Sequence, residues 1–343
     1  MVKPSWLRRL LTLAVALGGL AVALWTGLPL PFLFGPMLAS LVAALLGAPL
    51  LGMGSATNAA RTVLGVAIGA SVTPALLVQL PSMALSLALV PLYVGLIGLV
   101  GVPFFRRVCG FDRVTSFFAA MPGGATDMTL FGKDAGGDVR TLSLIHATRV
   151  AVIVTLAPIL LTTIYGTPLD RPLGEAAASL PLFDMALMAA AALVGWRGGE
   201  RLGLFGASML GPLIITLTLS LLGLVQVRPP REALQAAQFL IGLGIGVHYV
   251  GVTWRELRRT VGFSVLFMLI LAVLAAGIAE TVVLLGLAAP LEAFLAFAPG
   301  GQAEMTILAI VAGAELGFVV PHHIARIVLV ILGAPLMLRA LRR

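Results

Sequence analysis

Charge, cysteine and histidine are what this sequence has least of. Only 10% of its 343 residues are charged, against roughly 25% in an ordinary soluble domain, while 60% are hydrophobic and the mean hydropathy is +1.09. An ordinary water-soluble enzyme is excluded on that ground. No charged residue stands between Arg9 and Arg61 or between Arg61 and Arg106, and each gap holds two spans of about 20 apolar residues. A single Cys, Cys109, rules out an internal disulfide, and with only four His it leaves little material for a multinuclear metal centre. The absence of a G-x-x-x-x-G-K motif removes ATP-driven transport by this chain alone. The net charge of +8 comes from Lys and Arg set singly or in short clusters between apolar runs. That is a topology signal rather than a nucleic-acid footprint, so no direct nucleic-acid partner is expected.

What is present is a series of apolar segments punctuated by Gly and Pro. Lys3, Arg8 and Arg9 followed by Leu10 to Leu24 imitate a secretory signal, but no clear A-x-A site follows, and the segment is read as a retained first span. The breaks predict helices near 6–26, 30–47, 56–79, 83–107, a short pair 113–121 and 124–134, and 139–165. A second series follows near 182–197, 203–224, 232–252, 260–287, the short pair 290–298 and 302–313, and 318–341. The second series repeats the first. A slide of 177 positions carries Gly65 and Gly69 onto Gly242 and Gly246, and His146 and Arg149 onto His323 and Arg326. The same slide carries Met121-Pro-Gly-Gly-Ala-Thr-Asp-Met-Thr129 onto Ala298-Pro-Gly-Gly-Gln-Ala-Glu-Met-Thr306. Gly35-Pro36 meets Gly211-Pro212 after a one-residue shift. The expected organisation is a first membrane repeat over 1–168, a linker over 169–181 and a second membrane repeat over 182–343.

Charge placement orients the repeats. If each short pair returns to the side it came from, each half crosses the membrane five times and the second half is inverted. Every Lys and Arg outside the spans is then cytoplasmic except Arg171, Arg228 and Arg231, as the positive-inside bias favours. The fold class expected is an all-α polytopic membrane protein of about 10 transmembrane helices with two re-entrant Pro-Gly-Gly hairpins. Both termini are cytoplasmic and the site is the inner membrane.

Pro122-Gly123-Gly124 and Pro299-Gly300-Gly301 break the chain by design, Pro ending a helix and Gly supplying freedom to reverse. Irregular backbone at membrane depth is tolerated only inside protein or along a watery cavity. Helices that start at such breaks aim their positive ends at the centre, a natural anion site. Gly123, Gly124, Gly300 and Gly301, with Thr126, Thr129 and Thr306, are therefore candidate substrate contacts. Asp127 and Glu304 lie in the first turn after each break. They are either helix-start acids or ion-coupling groups for Na⁺ or H⁺. Arg149 and Arg326 are either a clamp for an anionic solute or partners of those two acids. His146 and His323, one turn away from them, are candidate proton carriers, with a bond to a backbone carbonyl as the plainer role. Glu280, opposite Pro103, is an asymmetric acid and a secondary proton site. Gly65, Gly69, Gly242, Gly244 and Gly246 mark close helix packing, and Arg255, Arg258 and Arg259 a basic anchor near anionic lipid.

The paired motifs MPGGATDMT with HATRV and APGGQAEMT with HIARI, joined to GPML and GPLI, resemble the AbrB-type membrane protein family over nearly the whole chain. In that family a domain of this kind occurs twice, and members carry regulator and ammonia monooxygenase labels. The resemblance implies no catalytic residue and no substrate. A regulator would act on gene expression indirectly, since the chain has no soluble DNA-binding domain. A monooxygenase would need metal, for which His146, His248, His322 and His323 do not form a convincing set, leaving only the adjacent His322 and His323 as a two-His alternative. The function expected is secondary transport or export of a small anionic or zwitterionic solute, coupled to H⁺ or Na⁺, without enzymatic activity, metal or other cofactor. The alternative is a membrane sensor, with the oxygenase third. Membrane lipids, the solute and a second copy of the chain are the partners expected.

Overall fold

The computed structural model describes residues 4–342 apart from 170 and 205, and the side chains of these apart from 75–77, 125–127, 303, 331 and 334–342. Every regular element among the described residues is helical. In chain order the helices are α1 (Ser5–Thr26), α2 (Pro31–Leu45), α3 (Ser55–Ala70), α4 (Pro74–Gln79), α5 (Ala84–Pro103), α6 (Arg113–Ala120), α7 (Ala125–Asp134) and α8 (Val139–Thr163). They continue as α9 (Leu182–Arg201), α10 (Ala207–Leu221), α11 (Arg231–Val247), α12 (Trp254–Glu256), α13 (Gly262–Leu284), α14 (Pro290–Phe297), α15 (Gln302–Ala312) and α16 (Leu316–Arg342). One π turn, Phe104–Val108, extends α5, and another, Leu257–Val261, joins α12 to α13. Among the described residues, Ser5–Thr26, Leu80–Val108, Val139–Thr163 and Trp254–Leu284 are long and apolar enough to cross a membrane. Their outer faces are greasy: Leu10, Leu17 and Leu24 on α1, and Leu85, Leu92 and Leu99 on α5, recur every seventh residue and are all more than half exposed. Such stripes face lipid rather than water. The chain is a membrane-type helical protein.

Two expected helices end early. The segment 56–79 stops at Ala70 and restarts at Pro74, and 232–252 stops at Val247. Pro74 has no N–H to continue α3. The chain divides into two compact units, one of residues 1–74 and 169–253, the other of 75–168 and 254–343, so each unit takes a piece from both halves of the sequence.

In the first unit the small residues decide the packing. A side chain at Gly65 or Gly69 of α3 would strike the Met209 or Leu213 carbonyl of α10, and one at Gly242 or Gly246 of α11 would strike the Leu33 or Met37 carbonyl of α2. The third helix of each half thus rests on the second helix of the other. Gly19 of α1 touches Gly35 of α2, and Gly195 of α9 touches Gly211 of α10, backbone on backbone. Gly244 lies off these seams: its nearest neighbour would be Thr57 Cγ2, 3.8 Å away. A methyl at Gly246, by contrast, would sit 2.6 Å from Leu41 N and 2.8 Å from Met37 O, and backbone cannot yield as a side chain does. Gly246→Ala is therefore expected to destabilise the protein by about 1–3 kcal/mol, and Gly244→Ala to be neutral within about 0.5 kcal/mol, as thermal melting in detergent will read.

The linker 169–181 is not loose. Glu175 O accepts from Arg231 N at 2.8 Å, Glu232 Oε2 accepts from Ala177 N at 2.9 Å, and Leu173 and Leu180 are buried. The first span is likewise built into its unit: Arg8 donates from Nε to Pro49 O and from Nη2 to Leu50 O, both at 3.0 Å, and Thr12 Oγ1 accepts from Leu51 N.

In the second unit α6 and α7 are the two pieces of one broken helix, and α14 and α15 the two pieces of another. Asp112 caps α6 by accepting from Thr115 N, and Asp138 caps α8 by accepting from Arg140 N and Thr141 N. The Asp138 N–H donates to Thr115 Oγ1 at 2.9 Å, and 177 positions later (138 to 315) the Glu315 N–H donates to Glu292 Oε1 at 3.2 Å. Arg140 forms an ion pair with Glu256, and Arg259 of the expected basic anchor donates from Nη2 to Cys109 O at 2.9 Å.

Candidate functional site

The two breaks take their shape from proline. The residue before a proline is driven out of the helical region. Met121 accordingly has ψ 132° and Ala298 ψ 136°, so their carbonyls swing away from the helix axis. The glycines that follow do not need a left-handed backbone: Gly124 has φ −60° and Gly301 φ −71°, and neither Gly123 nor Gly300 is among the positive-φ residues. The freedom to reverse direction, expected from the sequence, is not their role. They make room. A Cβ on Gly123 would lie 2.6 Å from Met128 Cε, one on Gly300 would lie 2.7 Å from Met305 Cε, and the Glu304 carboxylate occupies the place of a Gly301 side chain.

The swung carbonyls meet the two arginines. Arg149 Nη1 donates to Met121 O at 2.9 Å, and its Nη2 donates to Gly123 O. Arg326 repeats this 177 positions later (149 to 326): Nη1 donates to Ala298 O at 2.9 Å and Nη2 to Gly300 O at 2.7 Å. Both guanidinium groups are buried. Each braces a broken helix by satisfying carbonyls that lost their helical partners. Neither of the two expected roles, solute clamp or partner of an acid, accounts for these Nη bonds. The arginines still share an electrostatic neighbourhood, in which Arg149 feels Glu304 and Arg326, and Tyr93 feels both arginines.

His323 is committed on both sides. Its Nδ1 accepts from Arg326 Nη2 at 2.9 Å, so the proton sits on Nε2, which donates to Leu295 O at 2.9 Å. His146 faces the Phe118 carbonyl without reaching hydrogen-bond geometry. His322 is engaged by Phe318 O at 2.7 Å and Ser86 Oγ at 3.0 Å. The adjacent pair His322 and His323 therefore has no ring nitrogen aimed at a shared metal, and no cluster of three or more His, Cys, Asp or Glu is gathered among the described residues. His248 lies in the other unit, with Nδ1 on Gly244 O.

The other expected site residues divide by place. Gly123, Gly124, Gly300, Gly301, Arg149, Arg326, His146, His323, Glu304 and Thr306 lie at or beside the breaks of the second unit, Glu304 and Thr306 buried. Thr129 is half-buried on α7. The side chains of Thr126 and Asp127 lie outside the described residues. Glu280 does not join this centre: it is exposed in the last two turns of α13, near Tyr165. Two residues that sequence reasoning missed are Tyr93 on α5 and Gln302 at the head of α15. Both are buried, and among the described residues neither Tyr93 Oη nor Gln302 Oε1 and Nε2 has a hydrogen-bond partner. A polar residue within an apolar run was the available signal for Tyr93. Elsewhere, a cavity of about 200 Å³ in the first unit is walled by apolar side chains such as Val63, Met185 and Met188 and brings no polar chemistry.

The family described as "Transition state regulatory protein AbrB" matches residues 32–342. The chain is 25% identical over 334 residues to the Escherichia coli (strain K12) protein named "Putative regulator AbrB", covering 96% of this chain and 94% of that one. It is 27% identical over 249 residues to the Bacillus subtilis (strain 168) "Uncharacterized protein YhjN", covering 67% of this chain and 64% of that one. No solved structure matches the chain.

Proposed function

The chain belongs to the AbrB family, and from that premise we propose that it is a secondary transporter or exporter of a small anionic or zwitterionic solute, coupled to H⁺ or Na⁺. The observation that carries the reading is the recurrence of one arrangement: a helix broken at Pro-Gly-Gly and braced by a buried arginine, at Arg149 and again at Arg326. Broken helices in corresponding positions of two half-sequences are the hallmark of binding centres in secondary transporters. In this reading the short pairs are re-entrant hairpins in two inverted five-span repeats, about 10 spans in all. Both termini are cytoplasmic, the membrane is the inner one, and lipid and a second copy of the chain are its neighbours. It works without enzymatic chemistry, metal or cofactor. The halves alternate around the breaks, with Glu304 and Asp127 as coupling acids.

A second reading has one finding in its favour, the regulator in the printed name of the E. coli relative. A sensor would bind the same solute without moving it and act on gene expression through a partner.

Charge movement on a solid-supported membrane separates the two. Purified protein is challenged with a panel of carboxylates and amino acids at varied pH and Na⁺, with Asp127→Asn as control. A solute-dependent current that disappears in the variant is the expected result. Silence across the panel, with a ligand-dependent rise in melting temperature, would transfer the reading to a sensor.

A further inference from the structure

Six groups around the breaks of the second unit are buried and hold polar atoms without a hydrogen-bond partner among the described residues: Arg149 Nε, Arg326 Nε, Tyr93 Oη, Thr306 Oγ1, both ends of the Gln302 amide and both ring nitrogens of His146. Buried polar atoms are almost always paired, and a bare one is costly. Gln302 and Thr306 are four residues apart on α15 and share one helix face. Tyr93 lies within electrostatic reach of both arginines, and α15 packs against α8 and α16, which carry them.

We propose that these atoms are the contact set of the solute, and that the solute is a small monocarboxylate carrying one hydroxyl or amino group. The inference rests on the reading of this centre as a solute site. The argument is a count of donors and acceptors. Both Nη atoms of each arginine are engaged by the break carbonyls, so the Nη1/Nη2 fork of each guanidinium is already occupied by backbone. Each guanidinium also has an Nε–H without a partner among the described residues. With the Gln302 Nε2 hydrogens, two hydroxyls and the His146 N–H, the set is rich in donors and has two obligate acceptors, Gln302 Oε1 and the second ring nitrogen of His146. A matching ligand brings several acceptor lone pairs and at least one donor. The buried guanidinium charges favour an anion and repel a cationic solute. A simple dicarboxylate would bring a second charge and no donor for Gln302 Oε1.

The test is ligand-dependent melting of the full-length protein with lactate, free glycine, propionate and succinate, on wild type, Gln302→Leu, Thr306→Val and Tyr93→Phe, with currents recorded on the same samples. Lactate or glycine is expected to raise the wild-type melting temperature more than propionate, which lacks the donor, or succinate. Gln302→Leu and Thr306→Val should weaken that binding by at least about tenfold while melting no lower than wild type without ligand, because each removes an unsatisfied buried group. Thr306→Ser, which keeps the hydroxyl, should retain it. Variants that respond like wild type, variants that melt well below it, or a wild type that none of the four compounds shifts would each overturn the proposal. Binding that is lost in the variants but never accompanied by current keeps this contact set and overturns transport. Current that is undiminished in the variants does the reverse.

Discussion

Arg326→Ala is expected to unfold the second compact unit rather than to weaken solute binding alone. The guanidinium holds Ala298 O, Gly300 O and His323 Nδ1 at once. Its removal leaves three buried acceptors bare at about 1–3 kcal/mol each, a sum that approaches the whole stability of a domain, about 5–15 kcal/mol. Arg326→Lys should fail as well, since a single ammonium on a flexible stem cannot hold two carbonyls and a ring in one plane. Arg149→Ala loses Met121 O and Gly123 O but no histidine bond, and is expected to be the milder of the two. Melting curves and monodispersity in detergent will rank them. A variant that melts like wild type yet ignores anionic solutes would return the arginine to the role of clamp.

Glu304→Gln is expected to lower coupled uptake at least about tenfold while leaving the melting temperature within a few degrees of wild type. The logic depends on where Glu304 sits. It is the third residue of α15, and its carboxylate folds back over the N-cap Gly301. Either a Glu or a Gln at that position can cap the helix by reaching back to the N-cap backbone. The substitution therefore keeps the cap and deletes only the titratable charge that Arg149 feels. Wild-type uptake in Glu304→Gln would confine the residue to helix capping and remove it from coupling.

Much of this architecture is legible in the sequence alone. The breaks fall where Pro122 and Pro299 stand, because a residue without an N–H ends a helix wherever it occurs. The slide of 177 positions carries Arg149 onto Arg326, and the hydrogen bonds of the one recur at the other (149 to 326). What the arginines hold was not legible. Their partners are backbone carbonyls 28 and 26 residues upstream, and every residue carries a carbonyl, so no side-chain pattern marks those that proline turns outward. Tyr93 and Gln302 escaped for the opposite reason. The repeat places Ile270 and Ala125 opposite them, and a comparison of halves finds what the halves share and hides what only one possesses. That Glu280 is exposed was not legible either, because hydropathy does not say which face of a helix is covered. The Gly19 contact has no GxxxG spacing to announce it, whereas Gly195 stands four residues before Gly199, and both of these meet α10.

The crossed glycine seams of the first unit bear on how such a chain could have arisen. Gly65 and Gly69 rest on α10, and Gly242 and Gly246 on α2, so neither half closes its own seam. A polypeptide carrying one half alone would have had to find a second copy to cover its small-residue face, and its folding would have depended on concentration. Fusing the copies in one chain replaces that encounter with a tether and fixes the effective concentration of the partner surface. It also releases the two copies from identity, and an asymmetric pair such as Tyr93 and Gln302 can arise only after that release.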